Sequence, residues 1–364
     1  MILRLVCFSG MLVMASCEQK STAEHTVLTD TVQAKTWSAE KANAWYAKQP
    51  WIVGANFIPS TAINQLEMWQ AESFDTATIS RELQWAKEIG FNTMRVYLHH
   101  KAWEADQAGF ISRVDRYLEI AHAKGIKTIF VIFDDCWNKE SALGVQPAPK
   151  PGIHNSGWLQ DPGDPYSKDS TIFPQLELYV KAVMGHFKND DRILLWDLYN
   201  EPGNSGKGES SLPLLKKVFT WAKETDPSQP ISAALWDWNQ EAYNRFMLEQ
   251  SDVITYHNYE DEHLHGRVID LLKIYGKPLI CSEYMARTRK SNFSNILPLL
   301  KDKKVGAINW GLVAGKTNTI YAWDDPRPDG KEPPVWFHDI FRKDGTVFDA
   351  RETALIKSLT GLKP

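Results

Sequence analysis

The sequence predicts an α/β protein of the (β/α)8 TIM-barrel class, and three observations support this prediction. Eight short apolar segments, rich in β-branched and aromatic residues, alternate with longer amphipathic segments from about residue 50 onwards. Several of the apolar segments have the composition of strands buried on both faces, as parallel strands are. No G-x-G-x-x-G motif follows an early strand, so the alternative, an open doubly wound sheet, lacks its usual support.

The apolar segments are taken as strands in chain order: residues 51–58, 91–98, 127–133, 192–199, 231–238, 252–259, 277–284 and 305–312. Amphipathic patterns predict helices over 75–90, 111–125 and 261–276, each ending at a glycine directly before the next strand. Two connections are longer than a plain loop, 134–172 and 313–348. Both follow the carboxyl end of a strand, where barrel active sites are built, and their tryptophan content favours a functional role.

Composition narrows the classes of partner. A formal net charge of −4 on 364 residues gives no reason to expect nucleic acid or an electrostatically bound membrane surface. The 15 tryptophans indicate either a large aromatic core or a cleft lined with rings, on which sugars stack. Cys136 and Cys281 have no metal-ligand spacing, so we predict two buried, unpaired thiols. No metal or other cofactor is expected.

The first residues, MILRLVCFSGMLVMASC, combine a positive start, an apolar run and small residues before Cys17. This pattern predicts a bacterial lipoprotein signal peptide over 1–16, with lipid attached to Cys17; an ordinary cleaved signal is the alternative. Residues 17–36 are polar and aperiodic and are interpreted as a flexible tether, which leaves 37–364 as the barrel domain. We therefore expect an exported monomer, on the periplasmic side or the cell surface, that meets the membrane only through its lipid.

Two carboxylates occupy strand ends on opposite sides of the predicted barrel. Glu201, in WDLYNEP, follows the fourth strand, and Glu283, in LICSEYMA, ends the seventh, 82 residues later. Three βα units separate them, so the two side chains face one another across the barrel mouth. Each alone has a plainer interpretation, a helix cap for Glu201 and an ion pair with a nearby arginine for Glu283. Together they match the pair that flanks the scissile bond in glycoside hydrolysis.

These motifs resemble the retaining glycoside hydrolases of the (β/α)8 superfamily that includes cellulases, mannanases and β-galactosidases, and most of all the family 5 type. The resemblance covers residues from about 50 to 345 and is specific as a set. It implies that Glu283 is the nucleophile, that Glu201 is the acid/base, and that Asn200 binds the sugar 2-hydroxyl. It also implies roles for four residues on other strands: Arg95 and Tyr259 near the nucleophile, His257 in the site, and Trp310 under the attacked sugar.

Other residues of the long loops are assigned from position alone. Four tryptophans lie at strand ends or on long loops (Trp137, Trp236, Trp238 and Trp323), and some of them, among which we select Trp137 and Trp236, are expected to line further sugar subsites. Trp85 and Trp221 fall on helix patterns and are expected in the core. The sequence FDDCW (133–137) replaces the His-Asn that many cellulase-type members carry after the third strand. We interpret Asp134 and Asp135 as contacts to sugar hydroxyls rather than a metal pair. His99 and His100 are either site or rim residues.

The expected activity is hydrolysis of β-glycosidic bonds in a poly- or oligosaccharide by double displacement. Glu283 must be ionised to attack, so Arg95 and the Tyr259 hydroxyl are expected to lower its pKa. Glu201 must be protonated, and the charge on Glu283 is expected to raise its pKa. Two alternatives use the same residues: a glycan-binding lipoprotein without catalysis, and a transglycosylase whose acceptor is another sugar.

Overall fold

A computed structural model describes residues 36–164 and 166–362 of the chain. The predicted signal peptide, Cys17 and nearly all of the predicted tether lie outside these residues. Among the helices of the described ranges, none is both long enough and apolar enough to cross a membrane.

Eight parallel strands form the barrel, and the predicted (β/α)8 fold is confirmed. They are β1 (Val53–Asn56), β2 (Thr93–Tyr97), β3 (Lys127–Asp134), β4 (Ile193–Asn200), β5 (Ile231–Ser232), β6 (Ile254–His257), β7 (Leu279–Glu283) and β8 (Gly306–Asn309). Their order is β5-β4-β3-β2-β1-β8-β7-β6. The ring closes between β5 and β6 through Leu235, whose N–H donates to Thr255 O (3.0 Å) and whose carbonyl accepts from His257 N (2.8 Å).

Helices cover the outside of the barrel, and the three predicted helices correspond to α3, α5 and α9. The helices are α1 (Ala39–Tyr46), α2 (Gln65–Trp69), α3 (Thr76–Glu88), α4 (His100–Ala105), α5 (Gln107–His122), α6 (Phe173–Phe187), α7 (Leu212–Glu224), α8 (Glu241–Gln250), α9 (Glu262–Leu272), α10 (Phe293–Asp302) and α11 (Ala350–Thr360). An aspartate caps α3 and α9 at the N-terminus, where its carboxylate accepts an orphan N–H. After α9, a 3-10 turn ends at Gly276 in the left-handed conformation (φ 68°), as the sequence pattern predicts.

The barrel interior changes from apolar to polar along the strands. Its amino-terminal part is filled by aliphatic side chains (Ile52, Ile129, Leu195, Ile280 and Ile308). Side chains two residues apart on a strand share a face, so Asp197 follows Leu195 into the interior. There Asp197 meets Arg95, whose Nε donates to Asp197 Oδ2 at 2.9 Å, and Arg95 is fully buried. The polar site therefore lies directly above a layer of aliphatic side chains in the barrel interior.

The remaining core lies between strands and helices. Trp221 is buried there and Trp85 is partly buried against the same cluster, as predicted from their helical positions. Cys136 and Cys281 are both buried and unpaired, which confirms that prediction.

Candidate active site

Glu201 and Glu283 lie close together at the carboxyl end of the barrel. One oxygen of each carboxylate and one ring nitrogen of His257 all lie within 4.8 Å of one another. His257 Nδ1 is between the two, 2.8 Å from Glu201 Oε1 and 3.5 Å from Glu283 Oε2. The three residues come from β4, β7 and β6, so only closure of the barrel brings them together.

Local backbone irregularities orient both carboxylates. Simple alternation from Ile280 would turn Ser282 inward and Glu283 outward. A register shift between β6 and β7 pairs His257 with Glu283 instead, which turns Glu283 into the barrel. Glu201 has a positive φ of 44°, uncommon for a residue with a long side chain. Strain of this kind costs about 1–3 kcal/mol and occurs at functional sites.

Glu283 accepts hydrogen bonds from three side chains. Arg95 Nη1 donates to Oε1 at 2.8 Å, the Tyr97 hydroxyl to the same oxygen at 3.0 Å, and the Tyr259 hydroxyl to Oε2 at 2.8 Å. Arg95 itself does not line the cleft. It contacts Glu283 and Asn200 from below, so any effect of Arg95 on a bound sugar passes through these two residues.

Asn200 is held by groups beneath the cleft. Its Oδ1 accepts from Arg95 Nη2 (2.7 Å) and its Nδ2 donates to Asp134 Oδ1 (2.9 Å). The amide still borders the cleft, although it is only 2% exposed. Its orientation is therefore set before any sugar arrives.

Glu201 is surrounded by neutral groups. Oε1 faces His257 Nδ1, and Oε2 accepts from the Cys136 thiol at 3.1 Å and from the Asn204 amide. Burial lowers the pKa of His257 to about 4, so this ring is neutral at neutral pH. Burial also raises the pKa of the Cys136 thiol, which keeps its proton and acts as a weak donor.

Burial dominates the ionisation of both carboxyl groups. It raises the pKa of Glu201, partly offset by the Cys136 and Asn204 contacts. It also raises the pKa of Glu283, and the neighbouring Glu201 adds to the rise. Arg95 and Tyr259 lower the pKa of Glu283, as expected, but desolvation outweighs them and the pKa is raised overall.

Asp134 and Asp135 support the site from behind, and the expectation that they contact sugar hydroxyls is wrong. Both side chains are buried and neither lines the cleft. Asp134 accepts from Asn200 and, at 2.7 Å, from Trp158 Nε1. Asp135 accepts from Lys207 Nζ (2.6 Å) and from the Gly203 N–H (2.8 Å), so it holds the loop that follows Glu201.

Aromatic rings line the cleft around the two carboxylates. Trp310 lies 5.9 Å from Tyr97 (ring centroids), and Tyr97 contacts Glu283. The other predicted aromatic residues also border the cleft (Trp137, Trp236, Trp238, Trp323, Tyr259), as do His154 and Trp158, which sequence reasoning missed. The tryptophan content of the loop 134–172 was the available signal for Trp158; nothing in the sequence distinguished His154.

His99 and His100 are not cleft residues. Both are fully buried, and His100 contacts Asp161 through its backbone N–H (2.8 Å) and its ring. These residues fasten the loop 134–172 to the barrel.

An eight-stranded parallel barrel with paired carboxylates and aromatic rings at its carboxyl end is an arrangement that suits glycoside hydrolysis. The family model "Cellulase (glycosyl hydrolase family 5)" matches residues 54–316, more than half of the chain. The chain therefore belongs to glycosyl hydrolase family 5, and it is a glycosidase acting on β-glycosidic bonds. No curated protein sequence matches it significantly.

Solved structures of the same fold include three that act on mannose-containing substrates by their descriptions. The endo-β-1,4-mannanase of Thermotoga petrophila has a TM-score of 0.55 and 16% identity, over 87% of this chain and 77% of that one. The exo-β-1,4-mannosidase Op5Man5 of Opitutaceae bacterium strain TAV5 has a TM-score of 0.59 and 15% identity, over 91% and 62%. The family 5 mannosidase of Rhizomucor miehei has a TM-score of 0.54 and 14% identity, over 86% and 93%. At identities this low, the structural similarity establishes the fold alone.

Proposed function

We propose that the chain is a retaining β-glycoside hydrolase in which Glu283 is the nucleophile and Glu201 the acid/base. The separation of the two carboxylates carries this proposal. Their nearest oxygens lie within 4.8 Å. Retaining enzymes hold the two carboxyl groups about 5–5.5 Å apart, whereas inverting enzymes need about 6.5–9.5 Å to fit a water between carboxylate and sugar.

In the first step, a Glu283 oxygen attacks the anomeric carbon while the bond from this carbon to the leaving oxygen breaks. Glu201 gives its proton to that oxygen, and a glycosyl ester of Glu283 remains. Arg95, Tyr97 and Tyr259 orient the attacking carboxylate through the hydrogen bonds described above. Orientation of this kind lowers the barrier because the reacting atoms no longer need to be brought together.

In the second step, Glu201 is a carboxylate and removes a proton from water. The water oxygen attacks the anomeric carbon, the ester bond breaks, and Glu283 leaves as a carboxylate. The anomeric configuration is inverted twice and therefore retained. Each displacement uses only protein side chains and water, so the proposal requires no cofactor.

The predicted binding residues have separate tasks in this proposal. Trp310 supports the attacked sugar, and the Asn200 amide, fixed by Arg95 and Asp134, faces its 2-hydroxyl. His257 keeps Glu201 beside the glycosidic oxygen. Trp236 and Trp137 border the same cleft and are assigned to further sugar subsites.

The test is kinetic, on 4-nitrophenyl β-glycosides of mannose, glucose, galactose and xylose. We expect Glu283→Gln to abolish turnover of the accepted glycoside, and Glu201→Gln to lower kcat by about 10²–10⁴-fold, the usual contribution of acid–base catalysis. Azide should restore the Glu201→Gln rate and yield a β-glycosyl azide, because azide needs no base. Glu249→Gln, an exposed glutamate on α8, is the matched control and should retain wild-type rates.

Several results would contradict the proposal. Full activity of either site variant would show that the substituted glutamate is not catalytic. Formation of an α-glycosyl azide would show that the enzyme does not retain the anomeric configuration. Binding of a glycan without any product identifies a non-catalytic protein, and transfer to a sugar in preference to water identifies a transglycosylase.

We also propose that the enzyme is exported and held at a bacterial membrane by lipid on Cys17. This proposal is supported by the residues before Cys17 alone, since they lie outside the described part of the chain.

A further inference from the structure

We propose that the site acts from the chain end, removing one sugar at a time from the non-reducing end of its substrate. This inference rests on the proposed function and adds the substrate class to it: a terminal β-linked sugar rather than an internal bond of a polymer. The arrangement of the long loops after β3 and β8 carries it.

The two long loops are joined to each other by backbone hydrogen bonds. Asn155 N donates to Thr317 O (2.8 Å) and Arg327 N donates to Gly152 O (2.9 Å). The His154 ring adds a third link, since Nδ1 donates to Tyr321 O at 2.8 Å. In the barrel, β3 and β8 are separated by β2 and β1, so the joined loops span that side of the mouth.

The segment after β1 lies beneath the two joined loops and is hydrogen-bonded to both. Ser60 O accepts from Lys316 N (3.1 Å) on one loop, and Gln65 Nε2 donates to Leu159 O (2.9 Å) on the other. Asn64 Nδ2 adds a bond to Gly157 O (3.0 Å). Residues from all three loops thus form a continuous wall, and among the described residues the cleft lining includes none from the loops after β1 and β2.

The wall is tightly packed. His154, Asn155 and Trp158 are 4%, 1% and 2% exposed. Where the two long loops meet, Gly152 has φ +65°, and a Cβ there would lie 1.6 Å from Arg327 O. Only glycine permits this approach of the two backbones.

The wall lies one aromatic ring away from the nucleophile. Tyr97 donates to Glu283 Oε1, and the Trp158 ring stands 5.0 Å from Tyr97 and 5.6 Å from Trp310 (centroids). Trp158 and Trp310 are inclined by 64°, so they form a side and a floor. In the proposal, one sugar ring lies between this corner and Glu283, and the buried Trp158 ring borders the cleft behind it.

The opposite side of the cleft is open. There the lining continues past Trp236 and Trp238 to the outer face of α9, where Leu264 and Leu271 are 41% and 54% exposed. Glu201, the proposed proton donor to the leaving group, borders this side, because Trp236 Nε1 donates to Pro202 O (3.1 Å). The leaving group therefore exits over β5 and β6, and the non-reducing end of the attacked sugar faces the wall.

The experiment uses the wild-type enzyme and pentasaccharides labelled at the reducing end with 2-aminobenzamide: β-1,4-mannose, β-1,4-glucose, β-1,4-galactose and β-1,3-glucose. Each is supplied free and with a 4,6-O-benzylidene cap on the non-reducing terminal sugar. The cap enlarges only the ring that must fit against the wall. Products are separated by chromatography over a time course.

For the accepted sugar, we expect the free substrate to shorten through labelled tetra-, tri- and disaccharide in sequence, with monosaccharide as the only unlabelled product. The capped substrate should be hydrolysed at least 100-fold more slowly. Comparable cleavage of the capped substrate, or an unlabelled di- or trisaccharide as the first product, would overturn the inference while leaving the glycosidase assignment intact. Absence of hydrolysis in all eight substrates, together with inactivity on the aryl glycosides, would overturn the proposed function and this inference with it.

Discussion

At the scale of single residues, the hydrogen-bond partners decide which carboxyl group carries the charge. Glu283 accepts from a guanidinium and two hydroxyls, whereas the partners of Glu201 are neutral. Charged donors stabilise a carboxylate more than neutral ones do. We therefore infer that, when the pair holds one proton, the proton is on Glu201, as the proposed first step requires.

This assignment predicts the pH dependence of kcat/KM. Activity should fall at low pH as Glu283 gains a proton and at high pH as Glu201 loses one. Burial raises both pKa values above the ordinary 4.5, so both limbs should lie above pH 4.5. A 2,4-dinitrophenyl glycoside, whose leaving group needs no proton, should lose the high-pH limb and keep the other. Persistence of both limbs with this substrate would contradict the assignment.

At the scale of elements, the segment after β3 holds the loop after β4. Asp135 and Lys207 form an ion pair whose side chains are 0% and 3% exposed, and Asp135 also accepts from the Gly203 N–H. Breaking one partner of a buried pair leaves an uncompensated charge. The loop that carries Glu201 therefore depends on a residue that does not reach the cleft.

We predict that Asp135→Asn costs about 3–5 kcal/mol of unfolding free energy. The loosened loop should misplace Glu201, so activity should fall more for glycosides with poor leaving groups than for the 2,4-dinitrophenyl glycoside. Thermal denaturation and the two kcat/KM values check both parts. The double variant with Lys207→Met should recover part of the stability, because no unpaired charge remains. Equal losses on both substrates would indicate a purely structural role.

At the scale of the whole molecule, the chain enters the domain at the end of the barrel opposite to the cleft. Trp37 N donates to Asp252 Oδ1 at 2.7 Å, and Asp252 lies two residues before the start of β6. The cleft lies at the other ends of the strands.

The anchor itself is tested by Cys17→Ser in the full chain. We expect the wild-type protein, expressed in a bacterium, to incorporate an alkyne analogue of palmitate and to sediment with membranes. The variant should do neither, and its turnover per molecule should equal that of the wild type, since residue 17 is outside the barrel domain. Failure of the wild-type protein to incorporate the alkyne analogue would exclude lipidation at this cysteine.

Sequence alone determined the eight strands, the barrel class and the glutamate pair, because these depend on local patterns. Strand composition and the glycines after helices repeat along the chain, and a barrel of known strand number specifies which strand ends face each other. Glu201 and Glu283 could be selected for this reason.

Only the tertiary structure decided what the loops do. Asp134 and Asp135 have the residue type of sugar contacts, yet they lie behind the site, and Trp158 gains its position from Asp134. The inward turn of Glu283 depends on a register shift against β6, and the wall depends on bonds between residues more than 90 positions apart. Such features arise from contacts between distant segments, which no local periodicity records, and in the proposed mechanism they determine which end of a glycan chain reaches Glu283.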